Sequence, residues 1–464
     1  MTAETSGNKL SVRTKVFYGV GDVGNALVNS ALQFFLLIFY TDAALLAPAV
    51  VGSALLLGKI WDAINDPLFG WVSDRTGSKR FGKRRVYMIF GAIPLGVSIA
   101  LLWFVPRGLQ PAGVFLWVAC TFLLFDTLWT LTNVPYYALT AELTDDYDER
   151  SSLTAARMTL AVPAYLVGAA LTPVLVGLFA TKRAGYGAVG VIYGAVAAAA
   201  LLICAAGIRE RKQTSESRAE APPLKTFSQT LKNRPFLRLV GAYLVLNLAF
   251  ALIKTLMAYF LTYQLNMEAQ LPLVMGLLLI CVVIAIYPWK IISERWNKGP
   301  AYALGMGIGG LAVAATFFLP HQPTPWIYAI AVLAGFGFAA NWVFPWSMVP
   351  DVVDVDRLAT GEQRSGMYYG VWGLGTKASE ALAIASTGWV LALFHYVPNV
   401  AQTSQTLLGI RLFFALIPGV AIALALPLLI WYPITRKTHN EVLAKLANPE
   451  SQRDEQVSVG ATVP

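Results

Sequence analysis

Charge is what this sequence has least of. Asp, Glu, Lys and Arg make up only 13% of its 464 residues, roughly half the ~25% typical of soluble domains. With 56% of the chain hydrophobic, no polar shell large enough for a water-soluble globule can be assembled. Cysteine is nearly absent too: Cys120, Cys204 and Cys281 each lie alone in an apolar run, which excludes a disulfide framework or a thiolate metal cluster. The three histidines, His321, His395 and His439, form neither a metal pair nor a triad with a nucleophile. Nucleotide signatures fail as well. Gly19-x-Gly21-x-x-Gly24 and Gly305-x-Gly307-x-x-Gly310 have dinucleotide spacing but follow no strand, so they suit close helix packing. The stretch 370–377 resembles a phosphate loop but has Thr376 where the lysine belongs. An enzyme is not expected, and no organic cofactor is implied.

What is present is one apolar run after another. About 20 helical residues cross a ~30 Å hydrocarbon core, and twelve such spans can be drawn: 16–40, 49–73, 86–106, 112–142, 154–180, 187–207, 236–264, 271–293, 300–320, 325–349, 367–396 and 409–432. The runs are continuously apolar, not alternating, which favours helices over a barrel. The first span has no small-residue cleavage site and is expected to be a retained helix. The expected fold class is therefore all-α, a polytopic membrane protein of twelve transmembrane helices in two six-helix halves. The polar stretch 208–235, with its Pro222-Pro223 pair, reads as a tether between an N-terminal half (1–207) and a C-terminal half (236–435). Residues 436–464 read as a disordered tail.

Basic residues set the expected orientation. They concentrate after spans 2, 6 and 8 and at both ends, so both termini are expected in the cytoplasm. The net charge of +9 is mostly this bias, and no nucleic-acid partner is needed to explain it. The bacterial inner membrane is the expected location, with a monomer as the working unit. Lys254 and Arg411 are expected to snorkel outward.

Against this apolar background, Lys59, Asp62 and Asp66 sit within the second span, inside an arc of about 60° on one helix face. Ionisable groups in lipid are costly and mark ion or substrate pathways by default. Paired carboxylates suit a hard cation such as Na+; crowded carboxylates can equally exchange a proton. Lys59 and Lys377 are candidates to neutralise the pair when no cation is bound. A structural salt bridge between halves is the competing reading.

The segment Gly70-Trp-Val-Ser-Asp74-Arg75-Thr-Gly77-Ser-Lys79-Arg80 resembles the G-x-x-x-D-R-x-G-x-K-R loop of the major facilitator superfamily. Further pieces are Tyr18-Gly-Val-Gly-Asp22-Val-Gly-Asn25, Trp61-Asp-Ala-Ile-Asn-Asp-Pro67, Glu149-Arg-Ser-Ser-Leu-Thr-Ala-Ala-Arg157, Pro350-Asp-Val-Val-Asp354 and Thr376-Lys377. Together they resemble the glycoside–pentoside–hexuronide:cation symporters, the melibiose-permease-like group within that superfamily. The resemblance implies a secondary active symporter that takes up a sugar or glycoside-like solute against a Na+ or H+ gradient by alternating access. It implies cation binding at Asp62, Asp66, Asn65 and Thr130. It implies substrate contacts at Asp22, Asn133, Tyr137, Arg157, Trp342 and Lys377, and gating by Asp74, Arg75, Arg150, Asp351 and Arg364. The sequence departs from melibiose permease where two galactoside-binding carboxylates fall at Ala26 and Asn133 and a stacking tryptophan becomes Tyr137, which argues against melibiose itself. Animal lysolipid carriers are similar to this group, so an amphipathic solute is the alternative cargo. For Arg157, an ion pair with the acidic 145–149 stretch is a rival role; for Glu380, pairing with Lys377 one turn away.

Overall fold

The computed structural model describes residues 10–76, 82–144, 147–208, 230–361 and 364–447. Among them, twelve long helices run back and forth: α1 (Val12–Ala43), α2 (Pro48–Arg75), α3 (Arg85–Leu102), α4 (Pro111–Leu143), α5 (Tyr147–Gly177), α6 (Lys182–Gly207), α7 (Arg234–Gln264), α8 (Leu271–Arg295), α9 (Lys298–Phe318), α10 (Trp326–Thr360), α11 (Ser365–Leu393) and α12 (Ser404–Ile430). A shorter α13 (Arg436–Ala447) follows. Local chemistry starts them where they start. Ser11, Thr181, Asn233 and Thr403 each accept a backbone N–H in the first turn of α1, α6, α7 and α12, satisfying donors that a helix leaves orphaned. Pro48 and Pro111 open α2 and α4, where the missing N–H costs nothing.

The halves repeat one packing scheme. In the first, α1 packs on α5 and α6, α2 on α4, and α3 on α4 and α6; in the second, α7 packs on α11 and α12, α8 on α10, and α9 on α10 and α12. The halves meet where α2 lies along α11 and, by the same symmetry, where α5 lies along α8. This duplicated all-α bundle is the architecture expected from the sequence. Ten of the twelve helices are apolar and long enough to cross a membrane by composition alone. The two that fall short are α2 and α11. They are packed against each other, and each carries charge into the bundle.

Several boundaries differ from expectation for clear reasons. The span expected to end at 349 is longer: α10 runs on to Thr360 and ends at Gly361, whose φ of +72° is the left-handed stop that glycine allows. α5 begins at Tyr147, so the acidic 145–149 stretch runs into its first turn. The tail expected to be disordered from 436 is helical through Ala447. It is held to α10 by His439 Nε2, 3.1 Å from Asp354 and 3.6 Å from Asp351. Most of the 208–235 tether lies outside the described residues. Both glycine strings are packing stripes. A Cβ on Gly19 would meet the Ala156 carbonyl at 2.9 Å, and one on Gly305 would meet the Trp289 ring at 3.0 Å.

Candidate functional site

A cavity of two adjoining lobes, about 320 Å³ and about 360 Å³, lies between the halves. Asn29, Gln33, Trp129, Tyr137, Lys254 and Glu380 border both lobes. Each lobe is within the size range of small-molecule sites.

The first lobe is bordered by α1, α2, α4, α7 and α11. The helical repeat turns Asp62 and Asp66 to the same face of α2, towards Lys377 of α11. Lys377 Nζ donates to Asp62 Oδ1 at 2.8 Å and also binds Asp66 Oδ2. Thr130 Oγ1 of α4 donates to Asp66 Oδ1 at 3.0 Å. Lys59 is more distant, 3.9 Å from Asp62. Asn65 is fully buried, its Nδ2 lies 3.4 Å from Asp126 Oδ2, and its Oδ1 has no partner among the described residues. Asp62, Asp66 and Thr130 are thus brought together around Lys377, whereas Asn65 turns its amide to Asp126 and does not border the lobe. An ammonium bridging two carboxylates stands in for a hard monovalent ion, and the oxygens of Asp62, Asp66 and Thr130 suit such an ion. Glu380 does not pair with Lys377, whose Nζ is occupied by the two aspartates; Glu380 faces the cavity instead.

Sequence reasoning missed Asp126. Its side chain is 3% exposed, and it lines the same lobe with Asn65 as its hydrogen-bonding neighbour. An acidic residue in the middle of an apolar span, one turn before Thr130, was the available signal. Four carboxylates (Asp62, Asp66, Asp126, Glu380) and three ammonium groups (Lys59, Lys254, Lys377) line this lobe. With all ionised, it carries one negative charge in excess.

The second lobe is bordered by α1, α4, α5, α7, α8, α10 and α11. Asp22 accepts from Tyr137 Oη (3.2 Å) and Asn25 Nδ2 (3.3 Å), and Asn25 also donates to Asn133. Arg157 Nε lies 3.7 Å from Asp22, and its guanidinium sits 4.9 Å from the Tyr137 ring centroid. Of the rival 145–149 stretch, Glu149 binds Lys15 at 3.0 Å, and the side chains of Asp145, Asp146 and Asp148 lie outside the described residues. Trp342 borders the lobe 38% exposed, edge-on to Tyr165. Asp22, Asn133, Tyr137 and Arg157 therefore form one cluster, of which Asp22 and Tyr137 border this lobe, Asn133 the first lobe and Arg157 neither; Trp342 borders this lobe and Lys377 the neighbouring one. Lys254 overturns the expected snorkelling: it is 7% exposed, and its Nζ donates to Gln33 Oε1 of α1 at 2.8 Å. Burial between the halves, where oxygen acceptors are available, outcompetes a reach to the surface. Arg411 stays near its end of α12, binding the Phe317 carbonyl and lying over that ring.

On the side opposite the termini, bonds join the halves. Asp42 of α1 accepts from Tyr396 Oη at 2.5 Å and from Tyr263, and its carbonyl accepts from Asn399 Nδ2 at 2.7 Å. Lys182 pairs with Glu268 at 2.6 Å. Gly388 and Gly52 let α11 and α2 approach until a Cβ on Gly388 would lie 3.0 Å from the Gly52 Cα. Of the expected gate residues, Asp351 is held by Lys298 (2.6 Å) and Arg364 by Asp356 (3.1 Å), both within the second half. Arg75 ends α2, exposed; the side chains of Asp74 and Arg150 lie outside the described residues.

Comparison with known proteins adds three findings. A protein-family model described as MFS/sugar transport protein matches residues 17–436. Among curated relatives, an uncharacterised symporter of Synechocystis is 28% identical, covering 96% of this chain and 98% of that protein. A sodium-dependent lysophosphatidylcholine symporter of Gallus gallus is 27% identical, covering 94% and 89%. Among solved structures, a nucleoside transporter aligns with a TM-score of 0.65 at 13% identity, covering 89% of this chain and 99% of that one. At that identity the likeness concerns the fold alone.

Proposed function

The chain belongs to the MFS/sugar transport protein family, and from that premise we propose that it is a secondary active symporter of the melibiose-permease-like group. It would couple uptake of a solute to entry of Na+ or H+ by alternating access. The observation that carries the reading is the single Lys377 ammonium shared by Asp62 and Asp66 across the two halves. Buried ion pairs rarely justify their desolvation as structural devices. A pair whose acids lie on one half and whose base lies on the other is a contact that an incoming cation can exchange. Cation binding at Asp62 and Asp66, with Thr130 completing the shell, would free Lys377 and reshape the interface between α2 and α11. Both lobes border on that interface, so cation and solute would each change the other's affinity.

The conformation described joins the halves through Asp42, Tyr263 and Tyr396 on the side opposite the termini. With both termini cytoplasmic, this is a form shut towards the outside. A sugar or glycoside is the first solute class, since the Asp22, Asn133, Tyr137 and Arg157 cluster offers hydroxyl partners and Trp342 an aromatic face. An amphipathic lysolipid is the second, favoured by the apolar wall that Val162, Leu166, Leu279, Val282, Val283 and Ile286 give the second lobe and by the sodium-dependent lysolipid relative.

The test is Asp66→Cys in proteoliposomes. Cation-stimulated accumulation of the solute is expected to disappear while the protein remains folded; undiminished uphill transport would refute the proposal.

A further inference from the structure

Most basic groups around the cavity have an acidic partner: Lys377 has Asp62 and Asp66, Arg157 has Asp22, and Lys59 has Asp62. Lys254 has none. Its Nζ donates to the neutral Gln33 Oε1 at 2.8 Å and lies 5.0 Å from the Phe250 ring centroid, and among the described residues no carboxylate is within ion-pair distance. The charged groups that face it are Glu380 of α11 and Lys59 of α2, neither bonded to it. Gln33 is itself fixed, since its Oε1 accepts from Tyr165 Oη at 2.8 Å and its Nε2 donates to Asn29 at 3.2 Å.

A tie between α1 and α7 does not call for a charge. An amide at position 254 would make it without burying an ammonium among helices. An ammonium also has three donors, and only one reaches an oxygen here. Lys254 borders both lobes, so the remaining donors adjoin the space where a solute would lie.

We propose that Lys254, positioned by Gln33 and Tyr165, is an anion subsite of the solute site and takes a carboxylate or phosphate group of the cargo. This rests on the transporter reading above and adds the charge class of the solute. It also supplies a physical origin for coupling. The lobe with an excess carboxylate opposes an incoming anion, and a cation bound at Asp62 and Asp66 removes that opposition. The same chemistry fits an acidic sugar or the headgroup of an acidic lysolipid.

Two matched probe pairs distinguish these sources: D-glucuronate against D-glucose, and oleoyl-lysophosphatidic acid against monooleoylglycerol. Binding is measured on the purified full chain, with and without sodium. In one pair the acidic member is expected to bind about tenfold or more tightly than its neutral counterpart. Lys254→Gln should lose that preference while keeping the sodium-induced thermal shift, and Lys254→Arg should keep most of it. Which pair responds identifies the source. The proposal is overturned if neither acidic probe is preferred by the unmodified protein, or if Lys254→Gln keeps the preference. A preference that depends on Lys254 but ignores sodium would leave the subsite standing and remove the symport reading instead.

Discussion

Between α2 and α11, two carboxylates share one ammonium and a hydroxyl caps one of them, so the first lobe is nearly satisfied by the protein's own groups. Where the two lobes adjoin, Lys254 of α7 and Glu380 of α11 border open space with no ion pair among the described residues, beside the indole and apolar wall of the second lobe. The difference is one of waiting against exchanging. A site already filled by an internal cation can release it only for another cation, which makes occupancy of the first lobe a switch. A site with unmet donors and acceptors is built to receive, and it determines what is carried.

Lys377→Met is the strongest way to break that contrast. It would leave Asp62 and Asp66 facing each other, with Lys59, 3.9 Å from Asp62, as the remaining ion-pair partner among the described residues. Removing one partner of a buried pair costs about 3–5 kcal/mol when burial is complete, and less here because the Lys377 and Asp66 side chains are 28% and 39% exposed. Thermal unfolding in sodium-free buffer should show the largest loss of any single substitution considered. Sodium should then stabilise the variant more than it stabilises the unmodified protein, since the ion no longer competes with an ammonium. An equal sodium shift in both would mean that Lys377 and the cation do not share a place.

Asp126→Asn tests the excess carboxylate. Among the described residues, the Asp126 carboxylate has one long hydrogen bond, from Asn65 at 3.4 Å, and the more distant charges of Lys59 and Lys377 to offset its burial. An isosteric amide removes a costly charge, so stability in sodium-free buffer should hold or rise. Cation affinity should fall severalfold, because a nearby negative charge no longer attracts the ion. A drop in stability instead would show that Asp126 is paired in a way the described contacts do not capture.

How much of this was legible in the sequence follows from the same contrast. The twelve helices and their duplication were, because apolar length is a local property. The first lobe was legible too: Asp62 and Asp66 lie one turn apart on one helix face, and Asn65, Thr130 and Lys377 came by resemblance. The second lobe was much less so. Lys254 looked like a surface-seeking lysine because nothing near it in the chain reveals Gln33, which lies 221 residues away. Asp126 was overlooked because a lone acid in an apolar run shows no periodic pattern. The helical tail failed for a related reason: α13 depends on His439 meeting Asp351 and Asp354 of α10, a tertiary contact that composition does not encode.

The smallest expected effect comes from Tyr165→Phe, and it sharpens the comparison from the receiving side. The ring stays, so packing against Trp342 and Phe34 is retained, and only the hydroxyl donating to Gln33 Oε1 is lost. One neutral hydrogen bond is worth about 1 kcal/mol net, and Gln33 keeps Lys254 as a donor, so global stability should change by less than that. Solute affinity should weaken by a few-fold through a looser Gln33, while the sodium dependence of the first lobe stays where it was. If Tyr165→Phe moved the cation affinity as much as the solute affinity, the two lobes would be one undivided site. The distinction between exchanging and receiving would then have to be replaced by a single shared network running from Asp66 to Tyr165.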